Sequence, residues 1–268
     1  MRALLSVLMA VLAALACPRA AIAASAVAAA AVAAAPAGPV LVIADFDALP
    51  PACFPAGWKS REGESAAERV YRVASENGAQ FLHAVADGES VQIGLPVSFT
   101  LREYPLLSWR WRVVELPAGA DEREAATNDS AAGVYVVFKG SFGGLLPRVL
   151  KYVWSAHEPR GSVFPSPRYA NAQIVVLESG SGGAGNWQTE VVDMAEDYRR
   201  VFRAEPPELQ GIALLTDADD TGSRAVADYD DFRALAPSVA GAVTDFRAPA
   251  PAVAAAAPSH VHIGTQGP

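Results

Sequence analysis

The run from residues 107 to 113 constrains the fold more than any other part of the sequence, because apolar and polar side chains alternate along it without a break. Trp109 and Trp111 fall on one face, while Arg110 and Arg112 fall on the other. Side chains alternate between the two faces of a β-strand, so this pattern predicts a half-buried strand. We expect its tryptophans to pack in the core and its arginines to lie on the outside.

Roughly ten to twelve short runs of strand character follow one another between Val40 and Leu235, separated by Gly, Pro and Asn turn signals. Only Asp193 to Phe202 has the spacing of a helix. The helices that would have to connect a parallel sheet are missing from the pattern. We therefore predict an all-β fold, an antiparallel β-sandwich or jelly roll with one short helix.

The N-terminus has the composition of an export signal. Met1 and Arg2 precede an apolar run to Ala16, and Ala21-Ile22-Ala23 is an A-x-A cleavage site, with Ala24-Ser25-Ala26 as a second option. This predicts a signal peptide over residues 1–23 and a periplasmic or secreted protein with no stable membrane span after cleavage. A lipoprotein acylated at Cys17 and an uncleaved anchor are alternatives.

The remaining boundaries follow from alanine and proline content. Residues 24–39 are rich in Ala, Val and Pro and are predicted to be a linker, and residues 236–268 are predicted to be a disordered Ala/Pro-rich tail. The single folded domain is predicted to span residues 40–235. Once the signal peptide is removed, Cys53 is the only cysteine, so no intrachain disulfide is expected.

Charge and motif content exclude several functions. The net charge of −8 disfavours nucleic acid as a partner, because nucleic acids are bound mainly through phosphate neutralisation. No P-loop, paired CxxC or HExxH motif occurs, and His260 and His262 lie in the tail. A histidine-based metal or catalytic centre is therefore not expected.

A calcium-loop pattern occurs at Asp217-x-Asp219-x-Thr221-Gly222, where oxygen side chains alternate before a glycine. Asp228 stands at the twelfth position, but the flanking segments are strands and not helices. The pattern predicts a structural calcium ion, the only cofactor we expect. The alternative is an Asx-type turn with solvated carboxylates.

Polar and aromatic residues suggest a ligand site. Arg110 and Arg112 are predicted to line a groove together with Tyr135, Lys151 and Asp129, since Arg side chains hydrogen-bond well to sugar hydroxyls and uronates. The alternative is a solvated strand face with cross-strand ion pairs. Two loop tryptophans, Trp187 and Trp58, either stack on a ligand or plug the core.

Few residues of the predicted domain are candidates for catalysis. Glu190 and Asp129 are the candidate carboxylate pair for cleaving a glycosidic bond, although the sequence gives no distance between them. His83 and His157 are the histidines of the predicted domain, and His157 stands in a loop with Glu158. No nucleophile elbow or zinc motif occurs.

Several short motifs occur in one order along the domain. They are Phe54-Pro55-x-Gly57-Trp58, Leu107-x-Trp109-Arg110-Trp111-Arg112-Val113, Asn128-Asp129-x-Ala131-Ala132, Leu150-Lys151-Tyr152-x-Trp154, Asn186-Trp187, Asp197-Tyr198 and Thr216-Asp217-Ala218-Asp219-Asp220-Thr221. Together they resemble the bacterial exported proteins of domain-of-unknown-function family 3047, over about residues 45 to 232. That family has no established activity, so the resemblance implies no mechanism.

The members of that family are similar to galactose-binding-type jelly rolls, the architecture of many carbohydrate-binding modules. In such modules a structural calcium often lies where the end strands meet. This resemblance implies a second metal site that uses Asp45 or Asp47 with Asp230 or Asp231. The alternative is that these aspartates are exposed or cap loops.

The leading functional hypothesis is an exported jelly-roll domain that binds a carbohydrate or other envelope ligand non-covalently. One alternative is a polysaccharide-active enzyme, a glycoside hydrolase or lyase that uses Arg110 and Arg112. The other is an envelope scaffold whose partner is a protein.

Overall fold

The computed structural model describes residues 39–140 and 146–237. The predicted signal peptide, the predicted linker up to residue 38 and the predicted tail beyond residue 237 lie outside the described residues, as does Cys17. Among the described residues, no helix is long and apolar enough to cross a membrane.

Within those residues the chain forms thirteen strands and two helices. The strands are β1 (Val40–Ala44), β2 (Lys59–Ser60), β3 (Tyr71–Glu76), β4 (Ala79–Asp87), β5 (Ile93–Pro96), β6 (Leu106–Glu115), β7 (Ala132–Gly140), β8 (Leu146–Ser155), β9 (Val163–Pro165), β10 (Ala172–Ser179), β11 (Gln188–Asp193), β12 (Leu209–Leu215) and β13 (Arg224–Leu235). The helices are α1 (Glu64–Val70) and α2 (Met194–Phe202).

The strands form two sheets. Sheet 1 has the order β11-β6-β13-β4-β3, and β1 pairs with the C-terminal part of β13. Sheet 2 has the order β2-β5-β12-β7-β8-β10-β9. Neighbouring strands are antiparallel except β8 and β10, which are parallel. The predicted antiparallel β-sandwich of jelly-roll type is therefore confirmed.

The core lies between the sheets and is rich in aromatic side chains. Trp109 and Trp111 are fully buried, as predicted, and their rings meet edge to face with centroids 5.4 Å apart. Trp154 from sheet 2 packs against Trp111, with centroids 6.1 Å apart. Trp58 is also buried and meets the edge of Phe232, so it plugs the core and does not offer a ring to a ligand.

The helices differ from the prediction of a single short helix. The expected one is α2, and the Asp193 side chain caps it by accepting a hydrogen bond from the Glu196 backbone N–H at 2.8 Å. The second, α1, is not predicted by the sequence pattern, and strand β3 follows it directly at Tyr71. A helix of seven residues has too few turns for a clear period, and α1 is held mainly by burial of Ala66, Ala67 and Val70.

Candidate functional site

The outer face of sheet 1 carries a partly exposed set of charged and aromatic side chains that the strand pairing brings together. Strand β6 lies next to β13 in a register that sets Arg112 opposite Asp228 and Arg110 opposite Asp230. His83 on β4 lies opposite Asp228 on the far side of β13. We call this the arginine–tryptophan face, formed by His83, Arg110, Arg112, Trp187, Asp228 and Asp230.

Two buried carboxylates hold the two arginines. Arg110 donates to Asp230 Oδ2 from Nη2 at 2.5 Å and from Nε at 3.2 Å. Arg112 donates to Asp228 Oδ2 from Nε at 2.8 Å and approaches it with Nη2 at 2.7 Å. Such two-pronged contacts fix the plane of each guanidinium, so both arginines are held in place before any ligand arrives.

Further charged groups complete this network at its edges. Arg112 Nη1 donates to Glu76 at 2.9 Å, and Arg110 Nε lies 3.1 Å from Asp231. Burial lowers the pKa of Arg112, but the hydrogen bonds and negative charge of Asp228 and Glu76 outweigh burial, and the pKa is raised. The Arg112 guanidinium is therefore charged at every physiological pH.

A histidine shares one of these carboxylates. His83 Nδ1 lies 2.6 Å from Asp228 Oδ1, while Arg112 occupies the other oxygen of the same group. The Asp228 side chain is 1% exposed, so its charge is satisfied by these two partners and not by bulk water. This contact places His83 in the sheet, where its ring is orientated by the carboxylate.

Trp187 lies across both arginines. Its ring centroid is 4.7 Å from the Arg110 guanidinium carbon and 4.9 Å from that of Arg112, both within cation–π range. Phe81 meets it edge to face at 5.4 Å. The indole is half-buried, so it covers the polar face of sheet 1 while part of it stays accessible to a ligand.

The loop that carries Trp187 is fixed at its turns. It crosses from β10 in sheet 2 to β11 in sheet 1, and Gly180 and Gly185 both have positive φ, 68° and 80°. The Gly185 backbone N–H also donates to Val113 O at 2.8 Å, which attaches the loop to the end of β6. Glycine adopts this left-handed backbone conformation without strain, so the path of the loop depends on both positions.

The structure separates the remaining predicted ligand residues from the arginines. Tyr135 and Lys151 lie opposite each other on β7 and β8 of sheet 2, so the predicted groove shared with Arg110 and Arg112 does not form. Alternation along a strand gives the face of each residue but not the sheet to which the strand belongs. Asp129 lies in the segment before β7 and binds a loop, described below.

Lys151, on β8 of sheet 2, is almost completely buried, at 4% exposed. Its ammonium lies 5.5 Å from the Tyr135 ring centroid and interacts with Asp217 and Glu122. Burial lowers the pKa of Lys151, but these neighbours outweigh burial and raise it, so the ammonium stays charged. Burial also raises the pKa of Asp217 and of Glu122. This cluster is charged but closed to a large ligand.

The predicted metal residues fall into two groups. Asp217 and Asp219 lie in the loop between β12 and β13, where Asp129 Oδ2 accepts from Thr221 N at 2.8 Å and from Thr221 Oγ1 at 2.6 Å. Among the described residues, one cluster of candidate ligand atoms within 4.8 Å of one another is formed by Asp129, Asp219 and Asp220.

The second predicted metal group does not form such a cluster in the described part of the chain. Asp45 accepts a local hydrogen bond from Asp47 N at 2.9 Å, and Asp47 accepts one from Gln80 N in strand β4 at 3.1 Å. Asp231 pairs with Arg110 and with Arg233. A separate grouping of candidate ligands joins Asp121, His157 and Glu158, and His157 Nε2 lies 3.5 Å from Asp121.

A carboxyl pair that sequence reasoning missed joins the two sheets. Glu190 on β11 pairs with Glu178 on β10 through a hydrogen bond and not with Asp129, and it accepts from Trp111 Nε1 at 3.2 Å. Burial, followed by the charge of Glu178, raises the pKa of Glu190 to about 7.

The fold and the arginine–tryptophan face define a jelly-roll domain with a preorganised polar and aromatic surface on one sheet. The chain belongs to the family described as "Protein of unknown function (DUF3047)", whose model matches residues 56–233. The resemblance seen in the sequence motifs is thus confirmed. No curated protein matches the chain.

Solved structures with a similar architecture include modules and enzymes. The family 11 carbohydrate-binding module of the cellulosomal cellulase Lic26A-Cel5E of Clostridium thermocellum has 10% identity and a TM-score of 0.41, over 75% of this chain and 96% of that one. A family 30 carbohydrate-binding module has 9% identity and a TM-score of 0.39, over 73% and 97%. The family 11 xylanase from Neocallimastix patriciarum has 10% identity and a TM-score of 0.32, over 62% and 82%.

Proposed function

We propose that the protein binds a carbohydrate or a similar polyhydroxylated ligand of the cell envelope, non-covalently, at the arginine–tryptophan face. The observation that carries this proposal is the half-exposed indole of Trp187, which rests on two guanidinium groups held by buried carboxylates. The predicted signal peptide would deliver the domain to the compartment where such ligands occur.

The chemistry of the face suits a sugar ring. An indole offers a broad apolar surface for the C–H groups of a pyranose, and charged hydrogen-bonding groups around it suit the hydroxyls. Because Asp228 and Asp230 already fix the arginines, binding would cost little side-chain entropy. Neutral glycans are favoured over polyanions, because each guanidinium is already paired with a carboxylate.

Binding is best tested with the full chain on a panel of soluble polysaccharides, followed by titration calorimetry on each hit. Trp187→Ala should weaken binding at least tenfold, while Trp187→Phe should retain part of the affinity. Tyr169→Ala is the matched control, because Tyr169 is an exposed aromatic on the sheet 2 side of the molecule. It should leave the affinity unchanged.

The outcomes separate the three functional classes. If a polysaccharide binds wild type and Trp187→Ala with equal affinity, its binding site does not lie on this face. A hit that is shortened on incubation would favour a polysaccharide-active enzyme over a binding module. No hit on the whole panel would reject glycan binding and leave a protein partner as the better hypothesis.

A further inference from the structure

The loop between β12 and β13 lies close to Asp129 and gathers carboxylates from two segments of the chain. Ligand oxygens of Asp129, Asp219 and Asp220 all lie within 4.8 Å of one another. Asp129 is buried, Asp220 is half-buried and Asp219 is exposed. Three carboxylates this close repel one another, and a cation bound between them would relieve that repulsion.

A second, independent observation comes from the polar atoms beneath the loop. Asp217 is 6% exposed, and its carboxylate is hydrogen-bonded to Ser90, but its Oδ1 is buried with no hydrogen-bond partner among the described residues. The hydroxyl of Ser130, next to Asp129, is likewise buried and unpartnered within that part of the chain. The Asp217 backbone N–H donates to Ser130 O at 3.1 Å, which holds the segment that carries Asp217 beside Asp129, and the charges of Asp129 and Asp219 both act on the Asp217 carboxylate. Buried polar atoms normally have a partner, so these two oxygens indicate a missing ligand.

We propose that Asp129, Asp219 and Asp220, together with the buried carboxylate of Asp217 in the same loop, form a binding site for a divalent cation, and that the cation is calcium. All the donors are oxygens, whereas zinc and copper in proteins are bound mainly through nitrogen or sulfur, so the donor set disfavours these two metals. They come from an irregular loop and a neighbouring segment, and calcium accepts such variable geometry more readily than magnesium does. The site is separate from the arginine–tryptophan face and does not depend on the function proposed for it.

Positively charged side chains near the site lower the affinity that we expect for calcium. Arg168 pairs with Asp220, and Lys151 interacts with Asp217, so part of the negative charge is already balanced without a metal ion. Asp129 also accepts hydrogen bonds from the backbone N–H groups of Asp220 and Thr221. We therefore expect a dissociation constant of about 0.1 to 1 mM, the range of extracellular calcium modules.

The site can be tested by calorimetric titration of the full chain with CaCl2, after removal of metal with chelator, and with MgCl2 in parallel. We expect one saturable calcium site, weaker binding of magnesium, and a melting temperature that rises with calcium and falls in excess chelator. Asp219→Asn should weaken calcium binding at least tenfold without a change in the metal-free melting temperature, because Asp219 is exposed. Asp217→Asn tests the buried donor and should weaken binding as well.

Asp231→Asn is the control, because Asp231 belongs to the other predicted metal group and should leave calcium binding unchanged. The absence of saturable binding, or binding that Asp219→Asn and Asp217→Asn both leave intact, would overturn the proposal. Loss of calcium binding in Asp231→Asn alone would show that the metal lies at the end strands, and this result would also overturn the proposal. Circular dichroism of each variant separates loss of the site from loss of the fold.

Discussion

Arg112 and Asp228 face each other on neighbouring strands of sheet 1, and both Nε and Nη2 of the arginine lie within 2.8 Å of one carboxylate oxygen. Asp228 is buried, whereas the other carboxylate partner of Arg112, Glu76, is half-exposed. The same arginine therefore makes one contact that the fold needs and one that lies mainly in solvent.

Asp228→Asn should destabilise the protein by about 3 to 5 kcal/mol, because it leaves the Arg112 charge without its buried partner. Glu76→Gln is the matched control and should cost about 0.5 kcal/mol, as expected for a pair in contact with water. Urea unfolding monitored by tryptophan fluorescence measures both. Equal effects of the two changes would contradict the distinction between a buried and a solvated pair.

Asp193 caps helix α2, and its removal should cost about 1 kcal/mol. Asp193→Ala leaves the Glu196 backbone N–H without its side-chain acceptor, while Asp193→Ser keeps a capping oxygen and should be nearly neutral. Chemical denaturation of both variants checks this. A loss as large for serine as for alanine would mean that the charge, and not the cap, stabilises the helix.

Two glycines on paired strands give a matched test of close packing in sheet 2. A Cβ at Gly211 would lie 2.7 Å from Leu95 O, whereas a Cβ at Gly94 would meet only ordinary contacts at 3.8 Å or more. Gly211→Ala should therefore cost about 1 to 3 kcal/mol, and Gly94→Ala should be neutral or slightly stabilising. Thermal melting compares them directly. A Gly211→Ala variant as stable as wild type would show that β5 and β12 separate easily.

Local patterns predicted much of this molecule, and the failures have a common physical cause. The alternation along β6 correctly placed Trp109 and Trp111 in the core and the arginines outside, because the period of a strand is a local property. The alternation along β7 and β8 gives the faces of Tyr135 and Lys151, but it does not show that these strands belong to the other sheet.

The candidate site depends on contacts that no local pattern contains. Trp187 reaches the arginines because a loop with two left-handed glycines turns from one sheet to the other. The hydrogen bond between Glu178 and Glu190 arises at that same crossing, between strands of different sheets. Sequence gives the residue types of such pairs, but their distance depends on the path of the loop.

The pair of Glu178 and Glu190 makes stability depend on pH in a defined direction. Burial, then the Glu178 charge, raises the pKa of Glu190 from its ordinary 4.5 to about 7, although Arg160 and the Trp111 N–H oppose the shift. The folded protein then keeps a proton that the unfolded chain releases above about pH 4.5. This contribution to stability is complete below that pH and disappears as the pH rises through about 7.

The loss between those two pH values should be about 3 kcal/mol for this group alone. Glu190→Gln replaces the protonated carboxyl with a neutral group of the same shape, so the variant should lack this part of the pH dependence. Urea unfolding of both proteins at several pH values from 4.5 to 7.5 gives the difference, in which the contributions of Asp217 and Glu122 should largely cancel. A wild-type protein that gains stability relative to Glu190→Gln over this range would contradict a protonated Glu190 in the folded state.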